Sequence, residues 1–176
     1  MLPNIRDHSF TVAQVAVAVL SRIAAHGGAQ SLPERDLVVA GALLHDIAKT
    51  PCLRDNGYHA SLGSAICLAL GHAQIAEIVE EHVRLRVFPG DRYKKGIFQA
   101  KEIIFYADKR VMHDKVVSLE ERLEYILERY GNNDPHRHML LRSNVSRCQD
   151  LEIWLCRAAG CSGADLLRDI AAAERP

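Results

Sequence analysis

Apolar residues recur at helical spacing along almost the whole chain. Val12, Val15, Val19 and Ile23 form one stripe, closed by His26-Gly27-Gly28, where glycine suits the end of a helix. Pro3 fits a first helical turn, so this helix is expected to begin ahead of His8. Leu32-Pro33-Glu34 opens a second helix that should end near Ala48-Lys49-Thr50-Pro51, followed by a turn over Arg54-Asp55-Asn56-Gly57. A third helix is predicted from His59 to Leu70, stopped at Gly71. A fourth follows from about Gln74 to Leu85, with Ile75, Ile78, Val79 and Val83 inward. Phe88 to Gly96 is the longest clear loop, and a fifth helix runs from about Ile97 to Asp108. Ser118-Leu119-Glu120-Glu121 has the form of a capping box, in which serine caps the helix start and Glu121 reaches back to the backbone. That helix ends at Tyr130-Gly131. Asp134-Pro135 then opens a long helix to about Ala159, and Gly160 and Gly163 separate it from a short amphipathic tail. No segment reads as a convincing strand, a repeat or low-complexity sequence. The pattern predicts an all-α, single-domain helical bundle.

Several polar residues interrupt this pattern where the interior should be. Ala40-Gly41-Ala42-Leu43-Leu44 leads straight into His45-Asp46, so both side chains are carried toward the core. Buried imidazole and carboxylate groups are costly unless paired or bound to a metal. His8 precedes the Val12 stripe, and Asp108 ends the apolar run Ile103-Ile104-Phe105-Tyr106-Ala107. His82 lies three residues after Val79 on the same helical face, and His59 stands four residues ahead of Gly63, where backbones can approach closely. Imidazole and carboxylate are the usual ligands of iron, manganese, cobalt, nickel and zinc. His45 and Asp46 sit about 100° apart on a helix and can chelate one ion at its end. A carboxylate can also bridge two ions, a pair of which would clamp a phosphate ester.

The 176 residues fit one domain with a sizeable core. With 22 acidic and 22 basic side chains, no global basic field draws the chain to nucleic acid or an anionic membrane. No apolar run is read as approaching the roughly 18 residues needed to span a bilayer, and the N-terminus lacks a signal-peptide layout, so a cytoplasmic protein is expected. The cysteines (Cys52, Cys67, Cys148, Cys156, Cys161) include no CxxC, and their odd number argues against a complete disulfide framework. Met112-His113-Asp114 repeats the His-Asp dipeptide without an apolar helix before it and reads as a turn. His136 and His138 read as exposed, and Trp154 as a packing residue.

Taken together, His8-Ser9-Phe10-Thr11-Val12-Ala13, Ala42-Leu43-Leu44-His45-Asp46-Ile47-Ala48-Lys49, His59-Ala60-Ser61-Leu62-Gly63, His82 and Ala107-Asp108-Lys109 resemble the HD-domain phosphohydrolases of the HDIG type. Two groups are most similar: YqeK-like hydrolases of diadenosine tetraphosphate, and the HD domain sometimes fused to molybdenum-cofactor nucleotidyltransferases. The latter share a segment like Val116-Val117-Ser118-Leu119-Glu120-Glu121-Arg122. Ala48 stands where the motif name gives glycine. The resemblance implies an HD-type core over residues 1–132, with the C-terminal helices of 133–176 packing on the same domain. It implies a first metal on His8, His45, Asp46 and Asp108, and a second on Asp46, His59 and His82. Iron is the first expectation, with manganese, nickel, cobalt or zinc as alternatives. Lys49, one turn beyond the His-Asp pair, resembles the lysine that meets the substrate phosphate in such proteins and could stabilise charge on a leaving oxygen.

The expected function is hydrolysis of a phosphate ester or phosphoanhydride bond in a nucleotide-like substrate through metal-activated water, with Asp46 and Lys49 as catalytic residues. Arg84, Arg86 and Arg110 join Lys49 as candidate substrate-binding residues. The basic stretch Arg84 to Lys95 could close over a polyphosphate. A nucleotide-binding or regulatory module without turnover is the alternative, and a di-iron oxygenase a weaker one. The long C-terminal helix, with Leu140, Leu141, Val145, Leu151 and Leu155, could pack within the chain or form a homodimer.

Overall fold

A computed structural model describes residues 1–55 and 57–172. The elements, in chain order, are α1 (Pro3–His26), α2 (Arg35–Leu44), α3 (Lys49–Asp55), α4 (His59–Ala69), α5 (Ala73–Glu81), α6 (Gly90–Lys94), α7 (Ala100–Lys109), β1 (Val111–Met112), β2 (Lys115–Val116), α8 (Leu119–Tyr130), α9 (Pro135–Ala159) and α10 (Gly163–Ala172). This is the all-α bundle that the periodicity predicts. Its helix ends follow local chemistry. Pro3 opens α1, and Gly27 closes it with φ +71°, a left-handed conformation that glycine adopts without a Cβ penalty. Ser118 Oγ accepts the Glu121 amide at 3.0 Å while Glu121 accepts the Ser118 amide at 2.7 Å, completing the capping box of α8.

Helix α7 lies at the centre, with every residue but Lys101 buried. It packs against α1, α2, α5 and α9. Around it Val12, Val15, Val19 and Ile23 of α1 join Ile78 and Val79 of α5 and Leu151 and Leu155 of α9 in one apolar core. Helices α4 and α5 pack face to face, and a Cβ at Gly63 would stand 2.8 Å from Val79 Cγ1 and 3.2 Å from Ile47 Cγ2. Val145, Leu151 and Leu155 of α9 are buried within the chain, whereas Leu140 is exposed.

The structure departs from the predicted elements in five places. Helix α5 ends at Glu81 and not near Leu85, which leaves Val83, expected inward, exposed. Helix α2 stops at Leu44, and residues 45–48 form tight turns in which the Ile47 and Lys49 amides bond to the Leu44 and Asp46 carbonyls three residues back. Lys49-Thr50-Pro51 begins α3 instead of ending α2, because a proline in a first turn forfeits no helical bond. Of the turn predicted over 54–57, Asn56 lies outside the described residues. The predicted loop at 88–96 contains α6. Tyr93 anchors it, buried with its ring 5.0 Å from Phe88 and 5.8 Å from Phe98, while the Gln30 amide bonds to Gly96 O at 2.9 Å. Finally, β1 and β2 pair antiparallel around His113-Asp114, a two-residue hairpin too short for periodicity to register.

Among the described residues α1 is long and apolar enough to cross a membrane by length and composition, contrary to the reading of the sequence. Its apolar stripe faces α2, α7 and α9, and Val12, Val15, Ala16, Val19 and Ile23 are fully buried. A helix enclosed by other helices becomes apolar around much of its circumference, which raises its mean hydropathy as membrane burial would.

Candidate metal centre

Four helices and one turn converge on Asp46. His8 comes from the first turns of α1, His45 and Asp46 from the turn after α2, His59 from the start of α4, His82 from the end of α5, and Asp108 from the last turn of α7. All six sequence-predicted metal residues meet here. His45, Asp46 and His82 are almost wholly enclosed, and His8 and Asp108 nearly so.

Backbone carbonyls aim the imidazoles. Nδ1 of His45 lies 2.6 Å from Ala42 O and Nδ1 of His82 lies 2.6 Å from Val79 O, each a carbonyl three residues back on its own helix. Nδ1 of His8 lies 2.8 Å from His113 O at the hairpin tip. A carbonyl can only accept, so in all three rings Nδ1 carries the proton and donates, and Nε2 presents a lone pair. The second His-Asp dipeptide thus serves the centre through its backbone.

The Nε2 atoms face the two carboxylates from two sides. Nε2 of His8 is 3.1 Å from Asp108 Oδ1, and Nε2 of His45 is 3.5 Å from Asp46 Oδ2 and 3.9 Å from Asp108 Oδ1. On the other side, Nε2 of His59 and of His82 lie 3.3 and 3.6 Å from Asp46 Oδ1 and 3.1 Å from each other. Asp46 therefore offers one oxygen to each group. Among the described residues, two sets of ligand atoms are close enough to share an ion: His8, His45 and Asp108, and His45, Asp46 and His82. His45 Nε2 and Asp46 Oδ1 are buried without a hydrogen-bond partner among the described residues. Orphaned lone pairs of this kind are rare in protein interiors, and a divalent cation satisfies them where no proton donor can. The donor set, nitrogen and carboxylate oxygen without thiolate, fits a transition metal of intermediate hardness.

Electrostatics fit the same use at His59, His82 and the two carboxylates, while His45 shifts the other way. Burial lowers the His59 pKa to about 4, with His82 adding to the shift, so the ring stays neutral near physiological pH. Burial likewise lowers His82. At Asp46 the cost of burial is outweighed by His45, His82 and Lys49, and at Asp108 by Lys109, His8, Arg122 and His45, which hold both carboxyls well below the usual range. For His45, burial is outweighed by Asp46 and Asp108, and its pKa is raised.

A cleft of about 760 Å³ opens over the centre, with Asp46, His59, His82 and Asp108 in its wall. Lys49 lines it and pairs with Asp46 Oδ2 at 2.7 Å. The other predicted substrate residues are not brought to the lining. Arg84 is exposed elsewhere, and Arg86 pairs with Glu80 at 3.0 Å. Arg110, only 3% exposed, points toward α9 and donates to Glu152 Oε1 at 2.9 Å, beside the Tyr106 hydroxyl at 2.7 Å. Arg92 is held by Glu102 and Lys94 by Asp91. The cleft's cations are instead Lys49, Lys109, Arg122, Arg129 and Arg137. Lys109 is buried, donating to Asp108 Oδ2 at 2.8 Å and to His82 O at 3.0 Å, so it ties the end of α5 to α7. Its place directly after Asp108 was the available signal. For Arg122 the available signal was the family-like segment Val116 to Arg122, but helical spacing within α8 does not mark it, because α8 reaches the site only through tertiary packing.

The all-α bundle gathers four histidines and two aspartates, a set that could hold a metal ion, under an open cleft. The family model described as "HD domain" matches residues 5–113, and the chain belongs to that family, within the superfamily of metal-dependent phosphohydrolases. The chain is also similar to a tRNA (cytidine(56)-2'-O)-methyltransferase of Picrophilus torridus, 30% identical over 112 residues. That match covers 58% of this chain but 31% of the methyltransferase, so the chain spans about a third of that relative. No solved structure matches significantly.

Proposed function

We propose that this protein hydrolyses a phosphate ester or phosphoanhydride bond in a nucleotide-like substrate at a two-ion centre. The observation that carries this reading is the placement of Asp46, whose two oxygens face two separate groups of histidine nitrogens on the wall of an open cleft. His8, His45, Asp46 and Asp108 would hold one ion, and His59 and His82, sharing Asp46, the other. Divalent ions there supply Lewis acidity toward a phosphoryl oxygen and acidify water near neutral pH. The chain's own contribution is positional. The carbonyls of Ala42, Val79 and His113 fix three ring orientations, so little reorganisation accompanies charge development. Lys49, about a third exposed at the cleft wall, would offset negative charge on the leaving oxygen. The cleft volume falls within the range of small-molecule sites, roughly 300–1,000 Å³, and exceeds what a lone phosphate needs. The methyl transfer named for the Picrophilus protein is not carried over, since two thirds of that chain has no counterpart here.

Elemental analysis of protein purified without chelator, paired with chromatographic detection of product nucleotides from diadenosine tetraphosphate and of phosphate or pyrophosphate released from nucleoside mono-, di- and triphosphates under iron, manganese or nickel, tests this reading. Two ions per chain with turnover are expected. Full metal content with nucleotide binding but no hydrolysis under any ion would instead identify a binding module.

A further inference from the structure

Arg122 enters the cleft from α8, a segment outside every predicted ligand set. Its side chain is 12% exposed and lines the cleft beside the centre, with Nη2 3.8 Å from Asp108 Oδ1. That separation is too long for a hydrogen bond, and Asp108 Oδ2 already accepts from Lys109 at 2.8 Å. Nε of Arg122 is buried without a hydrogen-bond partner among the described residues. The guanidinium carbon rests 5.5 Å from the centre of the Tyr125 ring, which orients the plane but satisfies no N–H. A largely buried arginine with an idle N–H, next to a cation-binding centre, is unfavourable alone. A phosphoryl group between the two offsets both costs, because the planar fork of guanidinium matches two phosphate oxygens.

Resting on the phosphohydrolase reading above, we propose that Arg122 is the residue that grips the substrate phosphoryl group at the inner end of the cleft. The role falls to α8 and not to the basic stretch at 84–95. Arg86, Arg92 and Lys94 of that stretch are engaged with Glu80, Glu102 and Asp91, and Tyr93 anchors it to the core. Lys49 and Lys109 are each paired with a carboxylate of the centre, at 2.7 and 2.8 Å. Arg122 has no such close partner among the described residues, which leaves its charge for a ligand. Arg129 and Arg137 line the cleft as well and carry the same sign. The capping box of Ser118 and Glu121 fixes the start of α8 one turn ahead of Arg122, so the guanidinium is delivered by a rigid element.

The test measures binding of inorganic orthophosphate by calorimetry to the manganese-loaded full chain and to Arg122→Gln, Arg122→Lys and Arg142→Gln, the last an exposed α9 residue outside the cleft lining. Metal content and thermal midpoint are measured in parallel. Arg122→Gln is expected to weaken orthophosphate binding tenfold or more at unchanged metal content, Arg122→Lys to recover part of it, and Arg142→Gln to match the unsubstituted chain. Orthophosphate binding by Arg122→Gln equal to that of the unsubstituted chain overturns the proposal alone. So does loss of metal in both Arg122 variants, which makes the residue structural. An unsubstituted chain that takes up metal but binds neither orthophosphate nor any nucleotide overturns the phosphohydrolase reading, and this proposal with it.

Discussion

Asp46 is the residue on which both halves of the centre depend. His45→Ala or Asp46→Ala is expected to abolish tight metal binding and any hydrolysis, with the helical signal in circular dichroism retained, since neither side chain belongs to the apolar core. Retained metal in either variant, measured by elemental analysis, would contradict the assignment. His82→Ala should remove one ion only, because His8, His45 and Asp108 stand on the other side of Asp46. Lys109 invites a separate test. Its buried ammonium bonds to Asp108 Oδ2 and His82 O, and Lys109→Met strands a buried carboxylate. Losing one partner of a buried pair costs about 3 kcal/mol or more. Urea unfolding of the metal-free protein should register that loss, and a change under about 1 kcal/mol would mean that the Lys109–Asp108 pair adds little net stability. Among the metal candidates, His45, Asp46, His82 and Asp108 were readable because they interrupt or end apolar runs, and His8 and His59 through the ordered motifs that resemble the family. Arg110 misled for the same reason that Lys109 was overlooked. Both flank Asp108, and only the helical phase at the end of α7 decides that one serves the centre and the other Glu152.

At the scale of elements, the contact between α4 and α5 sets how closely His59 and His82 approach, 3.1 Å between their Nε2 atoms. Gly63 permits that contact, since an added Cβ would meet Val79 and Ile47. Gly63→Val should destabilise the fold by about 1–3 kcal/mol through overpacking. It should weaken metal binding at the His59 side before the His8 side. A variant with full stability and two ions would show that α4 can shift freely. The helices with clear stripes and caps, α1, α8 and α9, match their sequence signals at both ends. The short elements do not. The turn at 45–48, α3, α6 and the β1–β2 hairpin are each shorter than the window over which periodicity can be read. They form because tertiary neighbours satisfy their backbone and anchor Tyr93, His45 and His113.

For the whole molecule, ligands drawn from α1, α4, α5, α7 and the turn after α2 make metal binding a clamp across the bundle. An ion that binds only the folded chain stabilises it by linkage, about 2.7 kcal/mol at a free concentration one hundred times Kd. Chelator should therefore lower the thermal midpoint, and added manganese should restore it. A midpoint indifferent to both would mean that the six residues hold no ion tightly.

The sequence by itself determined the helical class, the long helices and their caps, and the six side chains that meet at the centre. Those features follow from local periodicity, from the cost of polar groups in apolar surroundings and, for the grouping of the six, from the resemblance of the ordered His and Asp motifs to a known family. Only the tertiary structure decided which oxygen of Asp46 faces which histidine, that a hairpin carbonyl orients His8, and that Arg122 and Lys109 reach the cleft while Arg84, Arg86 and Arg110 do not. Such choices depend on how helices far apart in sequence are rotated and spaced against one another, and no pattern within a single helix encodes that.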